Sequence, residues 1–174
     1  LGSTLLGYSG TKGASLTIQS QTIQIGGSAP SGNILHLTPD FFNHGGFGSF
    51  ILTGLASQGS NPALLVADGA IIEPIVKKLE VLSGGPANPA LTVNVVDEPV
   101  AAYRQAASIS LVGQAPSGAV VGEGAVIRTD PKGSISVTGQ TVSILGSLIA
   151  QGGTITVGGS NSTTTVFGPS SQPL

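Results

Sequence analysis

The side chains with the most chemical potential in this 174-residue chain are its eight acids and two histidines. Acid–base cleavage of a polysaccharide needs two or three carboxyl groups converging in one cleft, often with a basic residue beside them or Ca²⁺ between them. Asp40, Asp68, Asp97 and Asp130 lie far apart, and among them only Asp97 has an acidic neighbour, Glu98. Adjacent strand residues point to opposite faces, so that pair is poorly placed. His36, Asp40 and His44 follow a four-and-four spacing that would align metal ligands along one side of a helix. Pro39 and Gly45-Gly46 interrupt such a helix, and the turn signal Thr38-Pro39-Asp40 breaks strand parity, so the stretch reads as a polar strand end and loop. "GGFGSF" (45–50) lacks the Lys-Ser/Thr of a phosphate loop, and "GEG" (122–124) lacks the third glycine of a dinucleotide fingerprint. The expectation is a protein without catalytic residues, metal ligands or a cofactor.

Composition narrows the remaining classes. The basic residues Lys12, Lys77, Lys78, Arg104, Arg128 and Lys132 form no stripe that could follow a phosphate backbone, so nucleic acid is not an expected partner. Only 8% of residues are charged, against about a quarter in ordinary domains, and Ser, Thr, Asn, Gln and Gly take their place. With 40% hydrophobic residues and a mean hydropathy of +0.37 the chain should fold rather than stay disordered. Every apolar run is cut short of the ~18 residues a spanning helix needs. The absence of Cys removes disulfides and thiolate metal sites. The chain opens at Leu1 without a charged and apolar leader, and reads as a piece of a longer polypeptide.

The elements that carry these residues announce themselves by repetition. "GSISVTG" (133–139) and "GTITVGG" (153–159) match at a fixed offset, with "QTVSILG" (140–146) and "SLIAQGG" (147–153) between them. A short apolar strand and a turn recur about every seven residues, and three strands complete one period. That is the pattern of a coiled β-solenoid; a Greek-key sandwich also has many short strands, but near-identical heptads at one offset favour the solenoid. Alternation points Ile135, Val137, Val142, Ile144, Ile155 and Val157 inward and the intervening Ser and Thr outward. Parallel stacking at about 4.8 Å should set Ile135 beside Ile155. The same pattern recurs in 14–27, 32–38, 107–113 and 124–130.

Residues 61–106 depart from it, with most of the charge in the chain and five prolines. In "EPIVKKLEVLSGG" (73–85) Pro74 suits a first helical turn, Ile75, Leu79 and Leu82 share a face, and Gly84 suits the end, so an irregular or partly helical excursion is expected. The organisation read from this is one continuous structural domain: solenoid turns over 1–60 with a Phe/Gly-rich junction, the excursion over 61–106, and solenoid turns over 107–174. Asp68, Glu73, Lys77, Lys78 and Glu80 are the candidate partner contacts, being charged and placed outside the stack.

Phe41, Phe42, Phe47 and Phe50 fall within ten residues of a chain that has only Phe167, Tyr8 and Tyr103 besides. They are either an aromatic platform for a sugar or a structural junction that covers core where the excursion leaves. Phe41 and Phe42 cannot both point inward on a regular strand, so at least one should pack against the excursion. Gly45, Gly46 and Gly48 permit close turns beside them. The junction is the preferred reading, with Phe41, Phe42, Gly45, Gly46, Phe47 and Phe50 as its members.

"LTPDFFNHGGFGSFILTG" (37–54), a Pro-rich interlude, and "GAVIRTDPKGSISVTGQTVSILGSLIAQGGTITVGG" (124–159) follow one another in an order that resembles filamentous haemagglutinin-like large exoproteins, over about residues 35–159. The resemblance implies an all-β, right-handed parallel β-helix in a large protein exported through an outer-membrane transporter by two-partner secretion. It further implies a secreted or surface-displayed protein of a Gram-negative bacterium, an adhesin or filament component. The partners it implies are that transporter and host or neighbouring-cell surfaces or their glycans; self-association is expected separately, from parallel strand edges left open at the ends of the stack. The resemblance supplies no catalytic residue.

Overall fold

The computed structural model describes residues 4–10, 12–82, 92–97, 105–114, 116 and 118–166, with backbone alone for 78–82, 92–97 and 161–166. The described chain is mostly β. In order it forms β1 (Ala14–Ser20), β2 (Thr22–Ile25), β3 (Ile34–Leu37), a 3₁₀ turn η1 (Pro39–Asn43), β4 (Phe47–Gly54), β5 (Leu64–Val66), β6 (Ile71–Ile72), β7 (Lys77–Leu82) and β8 (Thr92–Asp97). There follow β9 (Ser108–Gly113), β10 (Ala119–Val121), β11 (Val126–Thr129), β12 (Ser134–Ile144), β13 (Ser147–Ala150) and β14 (Thr154–Val166). No helix among the described residues is long and apolar enough to cross a membrane.

Apart from β7 and β8, these strands stack in parallel as three rows. The first row is β1, β4, β9 and the opening halves of β12 and β14. The second is β3, β2, β5, β10 and the closing halves of β12 and β14. Because β12 serves both rows, they form one nine-stranded sheet whose path runs out through β9 and back through β10, nearly closing on itself. The third row, β6, β11 and β13, is a separate three-stranded sheet.

Period-two alternation explains why these short strands stay in register. Leu16, Phe50, Ile109, Ile135 and Ile155 fall in one column of the first row, and Ile18, Leu52, Leu111, Val137 and Val157 in the next. The pairing of Ile135 with Ile155 is the one expected from the repeat. Phe50, Leu52, Ile109, Leu111, Ile135 and Val137 are buried, as are Ile23, Ile25, Leu64, Val66, Val121, Val142 and Ile144 of the second row. Each such side chain contributes about 1.5–3 kcal/mol, and a slip by one residue would turn the whole set outward. Of the six positions expected to point inward, Ile155 differs: at the last level of the rows it is 45% exposed. At the corner between the first two rows Gly54, Gly113, Gly139 and Gly159 stand in register.

The excursion differs from expectation twice. Its charged half is not helical: Lys77–Leu82 is β7, paired antiparallel with β8 as a separate two-stranded ribbon. The helical face required Ile75 inside, whereas Ile75 is 43% exposed and Val76 is buried. Alternating residues with strand preference, Leu79 and Val81 opposite Val95 and Val93, satisfy the backbone across the ribbon instead. Its start is also later than residue 61. Leu64–Val66 and Ile71–Ile72 belong to the second and third rows, with Leu64, Val66 and Ile72 fully buried. Charge and proline mark the turns there, and the intervening apolar pairs were too short to be read as strands.

One turn holds a strained residue. Gly133 N–H donates to the Asp130 carbonyl at 2.9 Å, and within that turn Lys132 has φ 68°, the left-handed region that glycine tolerates best. Left-handed φ costs an ordinary residue about 1–2 kcal/mol, partly offset by the ~0.5–1 kcal/mol entropy that glycine loses on folding. Lys132→Gly should therefore raise stability by up to about 1 kcal/mol, measured as a higher denaturation midpoint at unchanged slope.

Candidate functional site

Two places gather the residues singled out above. The first is the end of the stack at β3 and η1. The 3₁₀ turn that starts at Pro39 carries Phe41 and Phe42 on successive residues without strand alternation, so both rings reach the core side. Phe42 and Phe50 are buried, Phe47 is nearly so, and Phe41 is half-buried. The rings meet edge to face, Phe42 and Phe50 at 5.1 Å, Phe41 and Phe42 at 5.5 Å, and Phe47 and Phe50 at 6.1 Å. Such pairs add about 0.5–1.5 kcal/mol beyond their burial. The Phe41 ring meets those of Phe42 and Phe50, and η1, which carries both Phe41 and Phe42, packs beside β6 within residues 61–106.

Gly45 and Gly46 are required as expected, with φ 77° and 71°. At Gly46 a Cβ would also fall 2.1 Å from the Tyr8 ring, which lies over the turn. Gly7 N–H donates to Gly45 O at 2.6 Å, and Ala14 N–H donates to Gly7 O at 2.9 Å, tying residues 4–10 across the cluster. This leaves a pocket of about 340 Å³ walled by Leu5, Tyr8, Phe41 and Phe47, with Thr4 and His44 at its polar side. His44 Nε2 lies 2.7 Å from Asp40 Oδ2 on the surface. His36, the third residue of the four-and-four spacing, is elsewhere: its Nε2 faces the Gly26 carbonyl at 3.1 Å. Among the described residues no three potential ligands gather to hold a metal ion.

The second place is the root of the excursion. On departure, Glu73 Oε1 accepts from Arg128 Nη1 at 2.7 Å, and Pro74 and Val76 are buried. On return, Ala107 is fully buried and its N–H donates to Asp130 Oδ2 at 3.3 Å. Arg128 and Asp130, two residues apart at the end of β11, thus hold both ends of the excursion. The ion pair is about half exposed and worth about 0–1 kcal/mol. The Asp130 bond serves a buried amide. Asp130→Ala should cost about 1–3 kcal/mol, the penalty of an unsatisfied buried N–H, while Asp130→Asn, which keeps an acceptor oxygen, should cost less. Equilibrium urea unfolding of the two variants measures the difference.

The five candidate contact residues do not form one site. Asp68 sits in an exposed turn where its Oδ1 accepts from Glu123 N–H at 2.9 Å. Glu73 is taken by Arg128, and Lys77 begins β7. Lys78 and Glu80 lie on β7 with side chains outside the described residues. Sequence reasoning gave Arg128 and Asp130 no structural role, and it did not connect Ser15, Ser49 and Ser108 with Ser134 and Thr154 as one hydroxyl column on the outer side of the first row. The shared second position of the matched heptads contained that signal for the last two members. A pocket of about 320 Å³ opens over Ser15, Ser49 and Ser108, with Lys12 and Gln105 at its sides. Neither pocket brings two carboxyl groups together. A scan against protein-family models and searches of curated proteins and of solved structures find no match to this chain.

Proposed function

We propose that this chain is a stretch of right-handed parallel β-helix within a filamentous haemagglutinin-like exoprotein, and that it works as a rod presenting a multivalent contact surface. The observation that carries the reading is the shared register: successive levels of the first row repeat the same inward and outward columns from β1 to β14. A molecule built from such levels gains length by adding nearest-neighbour terms, without enlarging its core. Low charge and outward hydroxyls suit a rod whose contacts are many and individually weak. In this reading the parent protein reaches the bacterial surface or the medium through an outer-membrane transporter, and its partners are host or neighbouring-cell surfaces or their glycans.

The test is an electron micrograph of the native parent particle with this stretch marked by an inserted epitope. A marked elongated shaft supports the proposal, and a compact particle without a shaft sinks it. A second reading, a subunit that stacks end to end into a filament, draws on β14, which forms the outer described strand of both main rows and leaves Ile155 45% exposed; it also requires the opposite edge of both rows to be open. Cleavage of polysaccharide gains no support from the acids, since Asp40, Asp68 and Asp130 serve separate local bonds.

A further inference from the structure

Among the described residues the two ends of the stack are unequal, and the inequality lies in β3. It follows β2 in the chain yet pairs with the outer edge of β2, through Thr22–Ile34, Ile23–Leu35, Gln24–His36 and Ile25–Leu37. The inner edge of β2 is taken by β5. The second row therefore extends one level beyond β2, while among the described residues the first row stops at β1. This end is a step about 4.8 Å high.

The step is anchored. Gly26 N–H donates to Leu37 O at 2.8 Å, and His36 contacts the Gly26 carbonyl. Leu37 is buried, and five residues on, in η1, so is Phe42; η1 packs beside β6. Pro30 and Pro39 bracket the strand and keep it to four residues. At the other end the two halves of β14 extend both main rows to the same level.

Head-to-tail stacking would place β1 of a second copy against the first half of β14 and its β2 against the second half. The position needed in the second row is already filled by that copy's own β3. We propose that β3 is a built-in stop against end-to-end association, occupying the edge that a neighbouring copy would use. With β3 in place only one row can pair at a time; with β3 displaced both rows pair together.

The test uses the 174-residue chain. Leu35→Pro removes an amide from the centre of β3 and fixes its φ. Its mass by light scattering should rise with concentration to twice the single-chain value or more, while the wild-type mass stays constant. Excess synthetic peptide GNILHLT (32–38) should refill the edge and return the variant to the single-chain mass. A second variant decides the matter if Leu35→Pro loses its β circular dichroism. Gln24→Cys with His36→Cys joins two paired positions in a chain without other cysteines, at a spacing within disulfide range. Oxidised, it should stay at single-chain mass under mild denaturant that drives the reduced form to associate. A folded Leu35→Pro chain at constant mass overturns the proposal, as does a stapled chain that associates as readily as its reduced form.

Discussion

A Phe42→Ala chain should unfold with a loss of about 3–5 kcal/mol, the largest effect expected from a single truncation here. Phe42 is 1% exposed and touches both Phe41 and Phe50, so removing its ring opens a cavity and breaks two edge-to-face contacts at once. Neighbours cannot close over the gap easily, because η1 is held by Pro39 on one side and the Gly45-Gly46 turn on the other. Phe41→Ala should cost clearly less, since Phe41 is half-buried at the rim of the cluster. Denaturant midpoints at unchanged slope give the comparison. A Phe42→Ala chain of unchanged stability would return these residues to the status of a sugar platform, particularly if it also lost glycan binding.

Gly54→Ala should be damaging out of proportion to its size. An added Cβ would lie 1.9 Å from the Ala63 carbonyl oxygen, a backbone atom with no rotamer by which to move away. A Cβ on Gly113, next in the column, would fall 2.2 Å from the Gly118 backbone, so the corner is tight at successive levels. Backbone shifts forced by overpacking cost about 1–3 kcal/mol, and here the shift would pass into rows held in register on both sides. Gly59→Ala is the control: φ is 61° but nothing lies within 4 Å of the added atom. It should cost only the ~1–2 kcal/mol of left-handed backbone. Thermal unfolding of both variants separates steric crowding at the corner from backbone conformation, and equal losses would refute the crowding argument.

How much of this was legible depended on distance along the chain. Ile135 and Ile155 are partners separated by one short period, with matching heptads around them, and their pairing could be read directly. Ser49 and Ser108 are partners in the same column, but the ribbon intervenes and no constant offset connects them. The aromatic residues were legible as a group by composition, and Gly45 and Gly46 by their turn. Their place at an end of the stack was not legible, because it depends on where β3 goes.

Local alternation, a property of neighbouring residues, determined by itself which side chains of each strand face the core and that the chain is mostly β. The scarcity and scatter of charge likewise argued against a basic interface. Tertiary structure alone decided that β3 folds back outside β2, that 77–82 pairs as a ribbon strand, and that Arg128 and Asp130 hold the roots of the excursion. Each of these is a choice among several chemically adequate partners, made by loop closure and by whichever edge remained open. A period-two pattern says which face of a strand is apolar; it carries no information about which strand will lie alongside.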